Sequence, residues 1–487
     1  MANIVRDLAD SSSYWAAVWT ICPLPDVHAI CDAPIGCFNL VATAVPDYTD
    51  AIPHIENITP SVITEAEVGE GTAAAVKRTY ENLRDEGYLE GKRLIVISTA
   101  ESEMIGSDLA DLVGQLGEGS TFFHSESLSD DEWLGRDRVL QWLWETYGAE
   151  PAAALQVEPG LVNIIGPTYG CFNSPSDLLE VKRLIEGAGG RVNLVFPFES
   201  RLAEIADLAR GQVNVLLYKE FGHRLAPSLG QPWLHAPIGM RSTTHFIRQL
   251  GEWLGTSDQA AAFIRQEKAS TLQAVWDLWK GPQGDWFPTT SIGLAGSRTY
   301  VEGLADYLGE ELGMPIAFTA PRPRQPGDLD NIGVRSLLHA GAPSFVFGSI
   351  NEKIYLSEAG ARQTHYIPAA FPGPIVRRAT GTPFMGYRGT VYVIQEIINR
   401  LYESLYTFLP LDSGYSQGGA STQPGNLPWT DEAKATLDEA VAKLPFLAQI
   451  SASRELQMRV ESEARARGEV EVSADLAAEI LASRNGG

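Results

Sequence analysis

The sequence predicts an α/β protein of three lobes, each a parallel sheet flanked by helices, followed by a small helical module. Three observations predict it. Short continuous apolar runs alternate with helical patterns three times in series, as buried parallel strands require. Gly-containing tetrapeptides recur at strand-to-helix junctions: Gly36-Cys37-Phe38-Asn39 with Gly170-Cys171-Phe172-Asn173, and Ala33-Pro34-Ile35-Gly36 with Ala236-Pro237-Ile238-Gly239. A stretch rich in Gly, Ser, Gln and Pro, 412–428, then sets off a tail with no strand pattern.

In the first lobe, 1–155, Ala29–Cys31 reads as a strand, Gly71–Glu86 as a helix and Arg93–Ser98 as a buried strand. The second lobe, 156–285, opens with strand Leu161–Gly166. Helix Ser176–Ala188, strands Arg191–Phe196 and Val213–Tyr218, and a helix starting near Ser242 follow. The third, 286–411, has strand Ser291–Ala295, helix Arg298–Leu312, strands Pro315–Phe318 and Ser344–Gly348, and a long helix Thr390–Phe408. In the module, 429–487, Thr430 or Asp431 caps a helix to Lys443, and Ser451 and Ser473 start two more. So short a tail is expected to pack on the main body or a partner. Ligands are expected outside the carboxyl ends of the strands.

Composition narrows the function. The chain has 487 residues and a net charge of −24, from 37 basic and 61 acidic side chains. A surface this acidic repels phosphate backbones, which argues against nucleic-acid binding, and suits a basic protein partner. No run approaches the roughly 18 apolar residues of a membrane span, and the opening residues lack a signal layout. A cytoplasmic protein is therefore expected. Four cysteines, Cys22, Cys31, Cys37 and Cys171, are too few for a disulfide scaffold.

Nucleotide and self-contained metal sites are argued against. Gly87–Lys92 has the wrong spacing for a phosphate loop and precedes a strand, and no G-x-G-x-x-G follows a predicted strand. The cysteine spacings match neither zinc nor ferredoxin patterns, and the eight histidines form no H-x-x-x-H pair. Cys31 is expected to point into the core. Cys37, just past a strand, is either a buried thiol or a ligand to a group that this chain only partly holds. The loop from Phe371 to Tyr387, with Arg377 and Met385, suits a flat apolar ligand bearing carboxylates, or simply connects lobes.

Together these stretches resemble the nitrogenase-like reductases, and within them the Z subunits of chlorophyllide a reductase. The residues that carry the resemblance run from Tyr14-Trp15-Ala16-Ala17-Val18, Gly36-Cys37 and Tyr48–Pro53, through Asn163–Pro167, Phe172–Asp177, Lys219–Gly222 and Val275–Trp279, to Phe347–Glu352 and Thr382–Tyr387. The tail Trp429–Phe446 is similar to a module of the dark-operative protochlorophyllide reductase B subunits, without their basic run. In nitrogenase β chains a cluster cysteine lies in T-C-x-x-E-x-I-G. Here Thr99, Glu103, Ile105 and Gly106 remain, and Ala100 stands at the cysteine position. The first ligand position falls near Ser11–Ser13, also without cysteine.

The resemblance implies a [4Fe–4S] cluster shared with a Y subunit, to which this chain gives only Cys37. It implies a Y2Z2 heterotetramer and a transient X subunit that uses ATP and Mg, neither bound here. The implied reaction is reduction of the C7–C8 double bond of chlorophyllide a in bacteriochlorophyll biosynthesis, with Phe371, Arg377, Met385 and Tyr387 as substrate contacts. The alternatives are a protochlorophyllide reductase B subunit or another nitrogenase-like subunit, and, from another class, a non-catalytic structural or metal-receptor scaffold.

Overall fold

The computed structural model describes residues 11–48, 55–117, 119–280, 282–371, 381–408, 427–442, 456–457, 459–464 and 466–482. The chain divides into two compact units, Met1–Glu396 and Ile397–Gly487.

The first unit holds three four-stranded sheets. The first contains β1 (Val27–Cys31), β2 (Ile58–Pro60), β3 (Arg93–Ile97) and β4 (Thr121–Phe123). The second contains β5 (Leu161–Ile165), β6 (Arg191–Phe196), β7 (Val213–Leu216) and β8 (Trp233–His235). The third contains β9 (Ile292–Ser297), β10 (Ile316–Arg322), β11 (Phe345–Gly348) and β12 (His365–Pro368). Their orders are β2-β1-β3-β4, β6-β5-β7-β8 and β10-β9-β11-β12, with every pairing parallel.

The sequence explains these elements. β1, β5, β7 and β11 are buried along their whole length, so their apolar runs need helices on both faces. Side-chain caps start several of those helices. Asp131 accepts from Leu134 N and Asp330 from Gly333 N, and Ser349 and Glu352 form a reciprocal capping box. The predicted α/β class, three parallel sheets flanked by helices, is what the structure has. One expectation is corrected. Gly36–Asn39 lies inside helix Ile35–Tyr48, whereas Gly170–Asn173 precedes helix Ser174–Gly187, with Gly170 and Asn173 at φ +74° and +55°. The turn before the first helix is made by Asp32–Pro34, so the echo is one of sequence, not of backbone.

Buried polar links join the lobes. Glu132 and Arg136, one helical turn apart on helix Glu132–Leu143 and fully buried, form an ion pair. Arg136 also donates to Thr168 Oγ1 and, at 2.8 Å, to the carbonyl of Tyr169, crossing from the first lobe to the second. Its guanidinium lies over the rings of Trp19, Trp133 and Phe221. Asp177 joins the second lobe to the third: its carboxylate accepts from Tyr300 Oη at 2.5 Å and from the backbone N–H groups of Phe384 and Met385 at 2.6 and 2.9 Å.

The second unit has helices Asp431–Ala442 and Ala474–Ala482 and a parallel bridge from Trp429 to Val472. Ala433, Val460, Ala464, Val472 and Ala477 form a core within it. Thr430 Oγ1 accepts from Ala433 N, and Ser473 Oγ from Leu476 N, as the expected caps should. The helix start expected at Ser451 lies outside the described residues.

Two outcomes follow. Arg136→Leu strands the Glu132 carboxylate in the interior and should cost about 3–5 kcal/mol in denaturant unfolding, with much of it recovered in the Glu132→Leu/Arg136→Leu double variant. Equal stability of the two variants would count against the ion pair as the cause. The second outcome concerns pH. Burial pushes the Asp177 carboxyl up to about 6, against the lowering effect of its hydrogen bonds to Tyr300, Met385 and Phe384. A carboxyl raised on folding gives most stability below its unfolded pKa of about 4, and this is lost as pH rises through about 6. The stability of the native protein relative to Asp177→Asn should therefore fall between pH 4 and 7; a flat difference would remove Asp177 as the titrating group.

Candidate functional site

In a parallel sheet whose chain runs outward first to one side and then to the other, a crevice opens between the two strands where the direction reverses. In the first sheet those strands are β1 and β3. After β1 the chain turns through Asp32–Pro34 into helix Ile35–Tyr48, with Cys37 in its first turn. After β3 it enters helix Ala100–Ile105. The two meet: Cys37 Sγ donates to Glu101 Oε1 at 2.9 Å. Burial, and then Glu101 as hydrogen-bond acceptor and neighbouring charge, raises the Cys37 thiol to about 11. Tyr14 is near enough to both that their charges add to the rise in its pKa, which burial dominates. The positions of the three motif segments, near Ser11–Ser13, at Cys37 and at Ala100, are thus adjacent in space.

The surviving motif residues have structural duties of their own. Thr99 Oγ1 donates to the Asp32 carbonyl and accepts from Ser102 N, capping its helix and tying it to the turn after β1. Glu103 accepts from Ser98 Oγ, Ser127 N and Leu128 N. Burial pushes its carboxyl up, and these donors outweigh that and hold it below the usual range. Gly106 ends the helix at φ +75°, a conformation that suits glycine. Thr99, Glu103 and Gly106 therefore keep the crevice in shape with or without a thiol at position 100. Glu101, which the motif leaves as an unspecified position, is the Cys37 partner that sequence reasoning missed; its one signal is that it follows Ala100.

The surface here is apolar. Ile35 and Leu40 follow β1, Val62 follows β2, Met104 follows β3 and Leu128 follows β4; all five are exposed, Met104 by 76%. Large apolar side chains gathered at one end of a sheet mark an interaction surface.

The other expected site residues separate. Phe371 lines a cavity at the carboxyl ends of the second and third sheets and packs edge-on against Trp19. Met385 and Tyr387 are buried: Met385 N bonds Asp177, and the Tyr387 and Thr244 hydroxyls are 2.6 Å apart. Arg377 lies outside the described residues. Cys22, Cys31 and Cys171 are buried, and burial raises Cys31 to about 12. Among the described residues no three His, Cys, Asp or Glu side chains are grouped to hold a metal ion, and no helix is long and apolar enough to cross a membrane.

Three parallel sheets in series, each with a crevice between its central strands, and one partly exposed thiol at the first of them make up the architecture. The chain belongs to the nitrogenase component 1 type oxidoreductase family, whose model matches residues 12–402. It is similar to the B subunit of the light-independent protochlorophyllide reductase of Synechococcus sp., at 24% identity over 93% of both chains. The corresponding chain of Heliobacterium modesticaldum is 23% identical over 93% of this chain and 92% of its own. Among solved structures, nitrogenase Cp1 at pH 6.5 superposes with a TM-score of 0.67 at 16% identity, covering 83% of this chain and 95% of that one.

Native alkylation followed by peptide mass spectrometry should label Cys37 first and leave Cys22, Cys31 and Cys171 protected until unfolding. Early labelling of any of those three would contradict their burial.

Proposed function

We propose that this chain is the Z-type subunit of a chlorophyllide a reductase, contributing one thiolate to an iron–sulfur cluster that a Y-type partner completes. One observation carries the reading: Cys37 is a single half-exposed thiol at a crevice rimmed by exposed apolar side chains. The donor set fits a shared cluster and not a self-contained one. One sulfur ligand is available, the motif position beside it holds Ala100, and the described residues group no further ligands. Bound there, a [4Fe–4S] cluster would supply one-electron transfer to a nearby tetrapyrrole. The chain's own part is to present Cys37, to accept its proton at Glu101 on ligation, and to bury the rim Ile35, Leu40, Val62, Met104 and Leu128 against the partner.

The wider reading follows from the same family. The assembly is a cytoplasmic Y2Z2 heterotetramer, reduced transiently by an X subunit that hydrolyses ATP with Mg, and the reaction reduces the C7–C8 double bond of chlorophyllide a. The lobe limits near 155, 285 and 411, the linker 412–428 and the module 429–487 belong to this proposal. Of the substrate contacts Phe371, Arg377, Met385 and Tyr387, Phe371 faces open space. Met385 and Tyr387 are buried.

A second reading has its own support. The relatives named above are protochlorophyllide reductase B subunits matching over nine-tenths of both chains. Against it stands Cys37, because the resemblance implies that aspartate is typical of that subunit type at the corresponding position. The two readings are separated by co-expressing the chain with its partner and assaying it anaerobically, with the reductase component and ATP, on chlorophyllide a and on protochlorophyllide. Reduction of chlorophyllide a is expected; turnover of protochlorophyllide alone selects the B-type reading. In Cys37→Ala, bound iron should drop and activity fall at least tenfold. Full iron and activity in that variant would end the ligand assignment.

A further inference from the structure

The first sheet has a second recess, at the end opposite Cys37. Asp26 precedes β1 and Arg93 opens β3, where Val27 and Arg93 are partners in the strand pairing. The five residues of β1, each rising about 3.3 Å, separate this end from the turn that leads to Cys37. Here the first lobe meets the start of the 3₁₀-helix Leu202–Arg210 of the second. Both contribute to one open cavity of about 560 Å3, lined from the first lobe by Asp26, Lys92, Arg93 and Tyr147 and from the second by Arg201 and Leu202. That volume is in the range of small-molecule sites.

The charge of this recess runs against that of the chain. The whole protein carries −24, yet the lining has three cations against one carboxylate, a local excess of two positive charges. The carboxylate is already engaged. Asp26 is buried and accepts from Leu202 N at 2.7 Å and Ala203 N at 3.0 Å, with Arg201 Nε 3.9 Å away. The cations keep capacity. Lys92 Nζ donates to Asn57 Oδ1 at 2.9 Å, which uses one of its three hydrogens. The Arg93 side chain makes no hydrogen bond or ion pair among the described residues, and Arg93 and Arg201 are both exposed. Two guanidinium forks and an ammonium on one concave wall are the donors that a phosphate group accepts from. The stretch Gly87–Lys92 lacks the spacing of a phosphate loop, but its last two residues, Gly91 and Lys92, line this cavity. Side chains, rather than a cradle of backbone N–H groups, supply the charge here.

We propose that this recess between the first and second lobes binds a small phosphate-bearing anion, free phosphate or a phosphate ester, with the phosphate group held by Lys92, Arg93 and Arg201. The site is separate from the Cys37 crevice and does not rest on the redox function proposed for it.

Calorimetric titration of the full-length chain at constant ionic strength tests this, with inorganic phosphate, pyrophosphate and glucose 6-phosphate as probes and glucose as the uncharged control. At least one of the three anions should bind saturably, one per chain, and glucose 6-phosphate at least tenfold more tightly than glucose. Either order among the anions supports the proposal: inorganic phosphate ahead assigns the free ion, and glucose 6-phosphate ahead assigns an ester. Arg93→Gln should weaken binding at least fivefold, and Arg201→Gln at least threefold. Because the Arg93 guanidinium has no partner to lose, Arg93→Gln should melt as the native protein does, and its loss of binding cannot be ascribed to unfolding. Arg248→Gln makes the same change of charge at an exposed position that does not line the cavity, and should bind as the native protein does. No saturable binding of any of the three anions, equal binding of glucose and glucose 6-phosphate, unchanged affinity in Arg93→Gln, or an equal loss in Arg248→Gln overturns the proposal.

Discussion

Arg136 is the constraint on which the arrangement of the first two lobes depends. A guanidinium with no exposed surface is tolerable only if its charge and donors are all met. Glu132 meets the charge from the same helix. The Tyr169 carbonyl and Thr168 hydroxyl meet donors from the segment after β5, and three aromatic rings cover its faces. That segment has no room to shift: a Cβ on Gly170 would stand 2.5 Å from the Trp19 ring. Asp137, next along the helix, accepts from Gly222 N and Arg224 N, fixing the segment after β7 too. One helix of the first lobe thus sets the position of both strand ends that form the second lobe's crevice.

The same topology used three times explains where the chemistry falls. Each sheet leaves a crevice between its two central strands, and the loops there are free of the pairing that occupies the rest of the backbone. The first crevice holds Cys37 and Glu101 and opens onto an apolar surface. The second and third border one cavity, with Trp133 and Phe371 on its wall. Repetition of the fold therefore does not repeat the function. A crevice that faces outward, as the first does, can share a site with another chain.

How much was legible follows the same division. The central strands were read directly, because burial on both faces writes a continuous apolar run into the sequence; the longer edge strands β6 and β10 were read too, although each is partly exposed. β2, β4, β8 and β12 were not; each has three or four residues and lies at a sheet edge, where half-exposure and short length leave no pattern to read. Cys37 was legible because its isolation is a property of the sequence. Its partner Glu101 was not, because contact across 64 positions depends on the β1–β3 pairing. Met385 and Tyr387 look like ligand-facing residues in the sequence, since aromatic and thioether side chains beside glycines suit a pocket and a tight core turn alike. The Glu132–Arg136 spacing is that of an ordinary surface pair on a helix, and nothing local reveals that it is buried.

The retained motif around Ala100 bears on how a shared site is built. Thr99, Glu103 and Gly106 hold helix Ala100–Ile105 by a cap, a brace to the loop after β4 and a left-handed terminus, none of which involves position 100. A thiol there is separable from the scaffold, so it can be absent without loss of the crevice. Cys37 is different in kind. It stands on a helix whose first turn exposes Ile35 and Leu40, so the surface that carries the ligand is also the surface that docking would bury. Under the function proposed above, a thiol on this exposed face would make the first crevice a site completed only when a partner covers it.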